Sequence, residues 1–269
     1  MEVTDQMSLG PNRDAAGRPV QLDVDDGVAT ITLNDVARRN SVTAELSLAV
    51  EAACQEVTAE HKARAVVLTA AGPAFSAGGD IGSLTSRTTA LATFYRGFEA
   101  LDALTVPTLA AVNAPAVGAG MNFALSCDVI IAAESARFDP RFLEIGIHPG
   151  GGHLWRLQAR AGRQAAAALV LFGEALTGQE AVTHGLAWAC VPDDELLPRA
   201  RALARRAAGR SGELTARTKA TLNASLPITN GRDARDLEQV AQEWSMSRPA
   251  FREGVAALQR KLAGHKEAR

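Results

Sequence analysis

Two short stretches of small residues offer main-chain groups that could stabilise a developing negative charge. AFSAGGDI (residues 74–81) follows the apolar run ARAVVLTA, and VGAGMNFALSCD (residues 117–128) follows the run TLAAVNA. Small side chains let a ligand approach the backbone closely, and the start of a helix leaves N–H groups without intrahelical partners. Two such N–H groups aimed at one point form an oxyanion hole, which stabilises a transition state that carries negative charge on oxygen.

Each stretch also has a purely structural interpretation, as a tight connection from a strand to a helix. A dinucleotide-binding turn is the competing functional interpretation of Gly118-Ala119-Gly120. That fingerprint needs a third glycine three positions after the second, and this chain has Phe123 there. The sequence contains neither a GxSxG nucleophile elbow nor a GxxxxGK(S/T) phosphate loop. Of the functional interpretations, the oxyanion hole is therefore the stronger.

The elements around these stretches alternate between strand and helix. QLDVDDGVATITL alternates in polarity on both sides of Asp26-Gly27, which predicts a β-hairpin. An amphipathic helix is expected from Ser41 or Thr43, and another ends before Pro107. ARAVVLTA, TLAAVNA, DVIIAA and LAWACV are short apolar runs typical of buried strands. The pattern predicts an α/β layered fold.

Beyond Val191 the pattern changes to helices alone, predicted over residues 194–209, 213–224, 232–247 and 250–262. Their apolar stripes exceed what a monomer is expected to bury, which indicates an oligomer. The residues of these stripes are Leu237, Val240, Trp244, Phe251, Val255, Leu258 and Leu262. We divide the chain into a flexible N-terminal tail (1–17), an α/β core (18–193) and a helical oligomerisation region (194–269).

The charge balance argues against a nucleic-acid partner. Charged residues make up 22% of the 269 residues and the net charge is −2, whereas nucleic-acid binders normally carry a basic surplus. The basic run at residues 199–210 has its alanines and leucines at helical spacing, which indicates the solvated face of an amphipathic helix. Cys54, Cys127 and Cys190 stand in apolar stretches without a CxxC motif, which indicates buried thiols. With no signal core or membrane-length apolar run, we expect a cytoplasmic protein with no membrane partner.

Taken together, the motifs resemble the crotonase (enoyl-CoA hydratase/isomerase) superfamily. The matching stretches are VVLTAAGPAFSAGGDI, TLAAVNAPAVGAGMNFALSCDVIIAAESARF, GIHPGGG and a helix containing TARTKATL. The resemblance implies an α/β fold built as a spiral of ββα units, with a C-terminal helical region that forms trimers, or hexamers as dimers of trimers. It also implies an acyl-CoA thioester substrate, with coenzyme A as part of that substrate. We expect neither a separate cofactor nor a metal.

The resemblance further implies roles for individual residues. The N–H groups of Ala77 and Ala119 would bind the thioester carbonyl oxygen and stabilise an enolate. Arg38 and Arg39 would meet the CoA phosphates, although a solvated loop explains both arginines equally well. The residues expected to contact CoA are Arg38, Arg39, Ser76, Ala77, Gly79, Asp80 and Gly118. Asp80 is also a natural N-cap, and we expect it to cap a helix rather than to catalyse.

Both acids of a hydratase are missing from the positions that the resemblance gives them. Hydratases of this family use one glutamate to activate water and another to protonate the α-carbon. The motif alignment places the first at Asn122 and the second at Phe142. An amide cannot act as a base at neutral pH, and one acid–base group contributes roughly 10²–10⁴-fold to a rate. We therefore expect no efficient hydration by the usual mechanism.

Nearby residues could replace these acids, and the candidates are Asp139, Glu144 and His148. Glu144 is expected to form an ion pair with Arg141, three positions before it. His148 would suit a base at neutral pH, although packing explains it as well. His148 and His153 lack the third protein ligand that a zinc site needs.

Two functions stay open at this point. The first is an enzyme that stabilises a thioester enolate with non-standard acid–base residues. The second is a catalytically silent acyl-CoA-binding or assembly subunit of the same fold. Asn122 and Phe142 favour the silent protein, whereas the polar residues between 139 and 153 favour the enzyme. Phe142 and Trp155 are expected to line an acyl pocket or the core.

Overall fold

The hairpin predicted around Asp26-Gly27 lies at the start of the computed structural model, which describes residues 17–60, 62–86 and 89–267. Asp26 and Gly27 both have positive φ, 48° and 72°, as a two-residue hairpin turn of this kind requires. Val20 pairs with Leu33 at the open end of the hairpin. Apart from residue 17, the predicted N-terminal tail lies outside the described residues.

The strands form one large sheet and one small sheet. They are β1 (Val20–Asp25), β2 (Val28–Leu33), β3 (Ala65–Ala70), β4 (Thr108–Val112), β5 (Ala116–Val117), β6 (Val129–Ala133), β7 (Arg137–Asp139), β8 (Leu176–Thr177) and β9 (Ala189–Val191). The large sheet has the order β1-β2-β3-β4-β6-β9 and is parallel apart from the β1–β2 hairpin. β3 and β4 are buried along their whole length, as their continuous apolar runs predict. The last strand begins at Ala189 rather than at the predicted Leu186.

Helices alternate with these strands and then follow them. They are α1 (Ala44–Glu60), α2 (Ile81–Ser86), α3 (Leu91–Ala103), α4 (Met121–Leu125), α5 (His153–Phe172), α6 (Gly178–Thr183), α7 (Leu196–Ala208), α8 (Gly212–Ser225), α9 (Gly231–Met246) and α10 (Pro249–Glu267). The predicted start of α1 is confirmed, because Thr43 Oγ1 accepts a hydrogen bond of 3.0 Å from the Leu46 N–H. The α/β fold class is confirmed as well.

The small sheet, β5-β7-β8, was not expected from the sequence. Its strands have two or three residues each, which is too short for an alternating pattern to show. β5 leads into the second small-residue turn, and β7 leads into residues 140–142. The small sheet therefore fixes where both segments lie.

Helix α3 lies unusually close to α1. The Ser47 hydroxyl accepts a 2.8 Å hydrogen bond from the Gly97 N–H and donates to the Phe94 carbonyl at 3.0 Å. A Cβ atom at Gly97 would come within 2.8 Å of the Ser47 carbonyl oxygen, so only glycine allows this approach. Because this contact holds one side of α3 against α1, it also determines which side of α3 faces away from α1.

Within the described residues, no strand follows Val191, and helices α7 to α10 complete the chain. Helix α7 buries its leucine and alanine side and exposes the arginines of the basic run, as predicted. Lys219 on α8 lies 2.8 Å from the Asp128 carboxylate, which joins α8 to the body. The division between residues 193 and 194 stays a prediction. Among the described helices, none combines the length and the apolar character needed to cross a membrane.

The predicted burial of the cysteines is confirmed for two of the three. Cys54 and Cys127 are buried, and burial raises the pKa of each thiol to about 12. Cys190, by contrast, is only half-buried, because it lies on the short strand β9 at the end of the large sheet. Both buried thiols therefore stay protonated at neutral pH.

Candidate active site

The structure brings the two small-residue turns into direct contact. The Val117 N–H donates to the Ser76 carbonyl at 2.9 Å, and the Ser76 N–H donates to the Pro115 carbonyl at 3.2 Å. A Cβ atom at Gly78 would lie 2.9 Å from the Val117 carbonyl oxygen, and one at Gly120 would collide with the Ser76 side chain. The small residues are thus required for the turns to pack against each other.

The first turn presents the N–H group of Gly79, not that of Ala77. The Ala77 N–H donates to the Arg39 carbonyl at 2.9 Å, so it is not free to bind a ligand and the predicted role does not fit it. Gly79 bridges to Val42, and its neighbours on both sides make the two hydrogen bonds of that bridge. The Gly79 N–H therefore points away from Val42 and has no acceptor within the described part of the chain.

The second turn presents the N–H group of Ala119, as predicted. Residues 118–120 form a single 3₁₀ turn, and the Ala119 N–H precedes its first internal hydrogen bond. It has no acceptor among the described residues. Gly118 holds a positive φ of 48°, which aims the start of this turn and favours glycine.

Both turns line a cavity of about 560 Å³. One side of α3 supplies Leu91, Phe94 and Phe98, and Phe142 lies on the wall as predicted. The wall is therefore largely apolar and suits a hydrocarbon group. Trp155 does not contribute, because its side chain is 59% exposed on α5; that part of the prediction was wrong.

Asn122 lies behind this wall in a closed network. Its Nδ2 donates to the Gly150 carbonyl at 3.1 Å, and its Oδ1 lies 2.9 Å from His153 Nδ1. Because an amide oxygen only accepts, the His153 ring proton belongs on Nδ1. Asn122 is fully buried and is not part of the cavity lining. It therefore cannot act on a ligand in the way that the hydratase glutamate does.

The pKa of His153 is strongly lowered by its surroundings. It is 1% exposed, and burial together with the nearby Arg156 guanidinium lowers its pKa to about 4. Its Nε2 has no hydrogen-bond partner among the described residues. The Phe142 ring packs edge-on against the imidazole at 4.8 Å between centroids, so Phe142 lies between a neutral histidine and the cavity.

Of the three proposed substitutes for the missing acids, only His148 lines the cavity. Its Nδ1 lies 2.7 Å from the Pro149 carbonyl, which places the ring proton on Nδ1 and leaves a lone pair on Nε2. Asp139 is buried and binds Arg141 at 2.5 Å, which raises the Arg141 pKa. Glu144 lies 3.5 Å from Arg141 on the protein surface, so the predicted ion pair is confirmed.

Most of the side chains expected to contact CoA are hydrogen-bonded or ion-paired within the protein instead. Asp80 accepts hydrogen bonds from the Ser83 hydroxyl at 2.6 Å and from the Ser83 N–H at 2.8 Å, which together lower its pKa. The N–H bond at the start of α2 confirms Asp80 as a cap. Ser76 is fully buried and donates to the Asn40 carbonyl, so its hydroxyl does not fit a ligand contact. Arg38 is held by Asp35 and Glu45. Arg39 has an exposed side chain without an ion-pair partner in the described chain.

Among the cavity residues that sequence reasoning missed is Tyr95 on α3, which carries a hydroxyl group. Leu91, Phe94 and Phe98 follow helical spacing and Tyr95 extends their stripe by one position. That adjacency is the signal that could have identified it.

Three His, Cys, Asp or Glu side chains able to share a metal ion do not occur together within the described residues.

Comparisons with known proteins identify the family of this chain. A family model described as enoyl-CoA hydratase/isomerase matches residues 23–267. A probable enoyl-CoA hydratase of Mycobacterium tuberculosis is 43% identical over 251 residues, covering 90% of this chain and 97% of that protein. The 1,2-epoxyphenylacetyl-CoA isomerase of Escherichia coli is 34% identical over 245 residues, covering 87% and 93%.

Solved structures show the same architecture. The crystal structure of an enoyl-CoA hydratase from Bacillus anthracis superposes with a TM-score of 0.84 at 26% identity, covering 90% of this chain and 96% of that one. The fold is therefore the crotonase fold that the motifs predicted. The chain belongs to the enoyl-CoA hydratase/isomerase family.

Proposed function

We propose that this protein binds an acyl-CoA thioester with its carbonyl oxygen between the N–H groups of Gly79 and Ala119. The observation that carries the proposal is that two N–H groups without acceptors in the described chain line one cavity, on turns that are hydrogen-bonded to each other. Fixed donors of this kind stabilise an enolate without reorganising, and one donor is worth about 2.7–4 kcal/mol. Arg39 is the residue proposed to meet a CoA phosphate.

The usual two-glutamate hydration is not the reaction proposed. No carboxylate lines the cavity within the described residues, and Asn122 is engaged at both ends. His148 Nε2 is the proposed base, because His148 lines the cavity and its other ring nitrogen is engaged by the Pro149 carbonyl. It would remove a proton from the carbon next to the polarised carbonyl, and the enolate oxygen would stay bound to the two N–H groups. The reaction class is then proton transfer at an acyl-CoA α- or γ-carbon.

Deuterium exchange at the α-carbon of butyryl-CoA tests this proposal. The wild-type protein should bind the thioester and exchange its α-protons, and His148→Gln should lower the exchange rate roughly 10²–10⁴-fold. The dissociation constant, measured by calorimetry, should change less than about threefold, since the two N–H groups remain. His184→Gln removes an exposed histidine outside the cavity and is the matched control.

The other outcomes separate the alternatives. Unchanged exchange in His148→Gln would exclude His148 as the base. Tight binding without exchange or crotonyl-CoA hydration would favour the second candidate function, a catalytically silent acyl-CoA-binding subunit, which the engaged amide of Asn122 supports. Absence of binding would exclude both functions.

We also propose that the protein is a homotrimer or a homohexamer. Helices α9 and α10 expose apolar side chains, among them Val240 at 61%, Phe251 at 43% and Leu258 at 57%. A groove of about 1220 Å³ runs between these helices and α8, and neither Gly79 nor Ala119 lines it. Light scattering at micromolar concentration should give about three or six times the 28.2 kDa chain mass. A monomer would contradict the proposal.

A further inference from the structure

The apolar cavity wall carries one neutral hydroxyl group, that of Tyr95. It comes from the same side of α3 as Phe94 and Phe98, and Tyr95 is the only tyrosine in the sequence. A plain hydrocarbon wall would use phenylalanine here, because a hydroxyl in apolar surroundings is costly unless it is hydrogen-bonded. The Tyr95 hydroxyl therefore gives this otherwise apolar side of α3 a hydrogen-bonding group that phenylalanine would lack.

The position of this hydroxyl is fixed by the glycine turn at residues 150–152. A Cβ atom at Gly150 would lie 2.5 Å from Tyr95 Oη, so the oxygen rests directly on a backbone without a side chain. The turn is itself held from behind, because Asn122 donates to the Gly150 carbonyl at 3.1 Å and Arg156 donates to the Gly151 carbonyl at 2.5 Å. Such support places a polar group accurately in a site.

The hydroxyl retains a free donor. Burial raises the Tyr95 pKa above its ordinary value, and the nearby Gly151 N–H offsets only part of that rise. The phenol is thus neutral and acts as a donor rather than as a base at physiological pH. No acceptor for its O–H occurs among the described residues. The O–H is therefore available to an acceptor that a ligand brings into the cavity.

We propose that Tyr95 is a specificity-determining residue that donates its O–H to an oxygen atom carried by the acyl chain. The substrate class is then an acyl-CoA with a hydroxyl or keto oxygen on the chain, in addition to the thioester carbonyl. This inference rests on the proposed acyl-CoA binding and adds the nature of the acyl group. A site built to hydrogen-bond a substrate oxygen discriminates against the analogue that lacks it.

Calorimetric titration with hexanoyl-CoA and with its 3-hydroxy, 3-oxo and 5-hydroxy derivatives tests the inference. At least one oxygenated ligand should bind wild-type protein about tenfold or more tightly than hexanoyl-CoA. Tyr95→Phe, which keeps the ring, should reduce that preference to within about twofold. Its affinity for hexanoyl-CoA should be unchanged or higher, and this ligand also controls for correct folding.

The outcomes are distinguishable from failure of the proposed function. If wild-type protein binds hexanoyl-CoA and shows no preference for any derivative, the inference is overturned while acyl-CoA binding stands. A preference that persists in Tyr95→Phe overturns it as well. If no thioester binds the wild-type protein, the proposed function fails and the inference fails with it.

Discussion

Replacing His153 with glutamine should remove the part of the protein's acid sensitivity that arises between pH 7 and pH 4 from this buried imidazole. In the wild type, the free energy of unfolding should fall by about 2 kcal/mol between pH 7 and pH 5 through this residue alone. In His153→Gln that contribution should disappear. Urea-induced unfolding at the two pH values, followed by circular dichroism, measures the difference.

The sign follows from where the proton binds. Burial lowers the pKa of His153 from 6.5 to about 4 in the folded state. Below pH 6.5 the unfolded chain takes up a proton that the folded protein excludes, so acid favours unfolding. The loss accumulates down to about pH 4, where the folded state also binds the proton, and totals about 3 kcal/mol. Glutamine can still donate to Asn122 Oδ1 but does not titrate.

The matched control is His184→Gln, which removes an exposed imidazole at the C-terminal end of α6 and should retain the wild-type pH dependence. If His153→Gln keeps the full wild-type slope, His153 does not carry the effect. Such a result would also contradict the closed network of Asn122, His153 and Gly150, since an accessible histidine would titrate alike in both states.

Most of the fold was predictable because its signals are local. The hairpin turn, the apolar strands β3 and β4 and the Thr43 cap each depend on a few consecutive residues. The small sheet β5-β7-β8 was not predictable, because strands of two or three residues leave no periodic pattern and are formed by long-range pairing. Helix α3 was predicted, but its contact through Gly97 and Ser47 joins residues 50 positions apart.

The sequence predicted the two turns that form the site, but not which N–H group of the first turn is free. The sequence marks residues 74–81 and 117–128 as places of close backbone approach, and the structure joins them. Which N–H of the first turn is free depends on the Arg39 carbonyl, whose position is set by a separate loop with positive φ at Arg39 and Asn40. Local spacing carries no information on that contact. The sequence therefore indicated the N–H group of Ala77, whereas the free N–H group belongs to Gly79.

The sequence also could not reveal that the Asn122 side chain is hydrogen-bonded at both ends of its amide. An asparagine at that position predicts only that a base is absent. Its partners His153 and Gly150 lie 31 and 28 positions away, and they show that the side chain is part of the support for the glycine turn. Asn122 therefore has a structural role here, because it supports the glycine turn on which the Tyr95 oxygen rests.

Replacing Gly78 with alanine should disable the proposed oxyanion hole in a protein that still folds. Gly78 has φ of +95°, and the new Cβ would lie 2.9 Å from the Val117 carbonyl oxygen, which is backbone and cannot rotate away. The two turns must then separate, so the N–H groups of Gly79 and Ala119 can no longer meet one oxygen. The α-proton exchange rate should fall roughly 10²–10³-fold.

Gly185→Ala separates this effect from ordinary backbone strain. Gly185 also has a positive φ of +72°, but a Cβ there would meet its nearest atom, the Arg160 carbonyl oxygen, only at 3.5 Å. Both variants should lose about 1–2 kcal/mol of stability from the left-handed conformation, whereas only Gly78→Ala should lose exchange. The bound spectrum gives an independent readout, because a polarised 2-enoyl thioester absorbs at longer wavelength and Gly78→Ala should abolish that shift. A folded Gly78→Ala protein with wild-type exchange and an unchanged spectrum would place the thioester oxygen somewhere other than between these two turns.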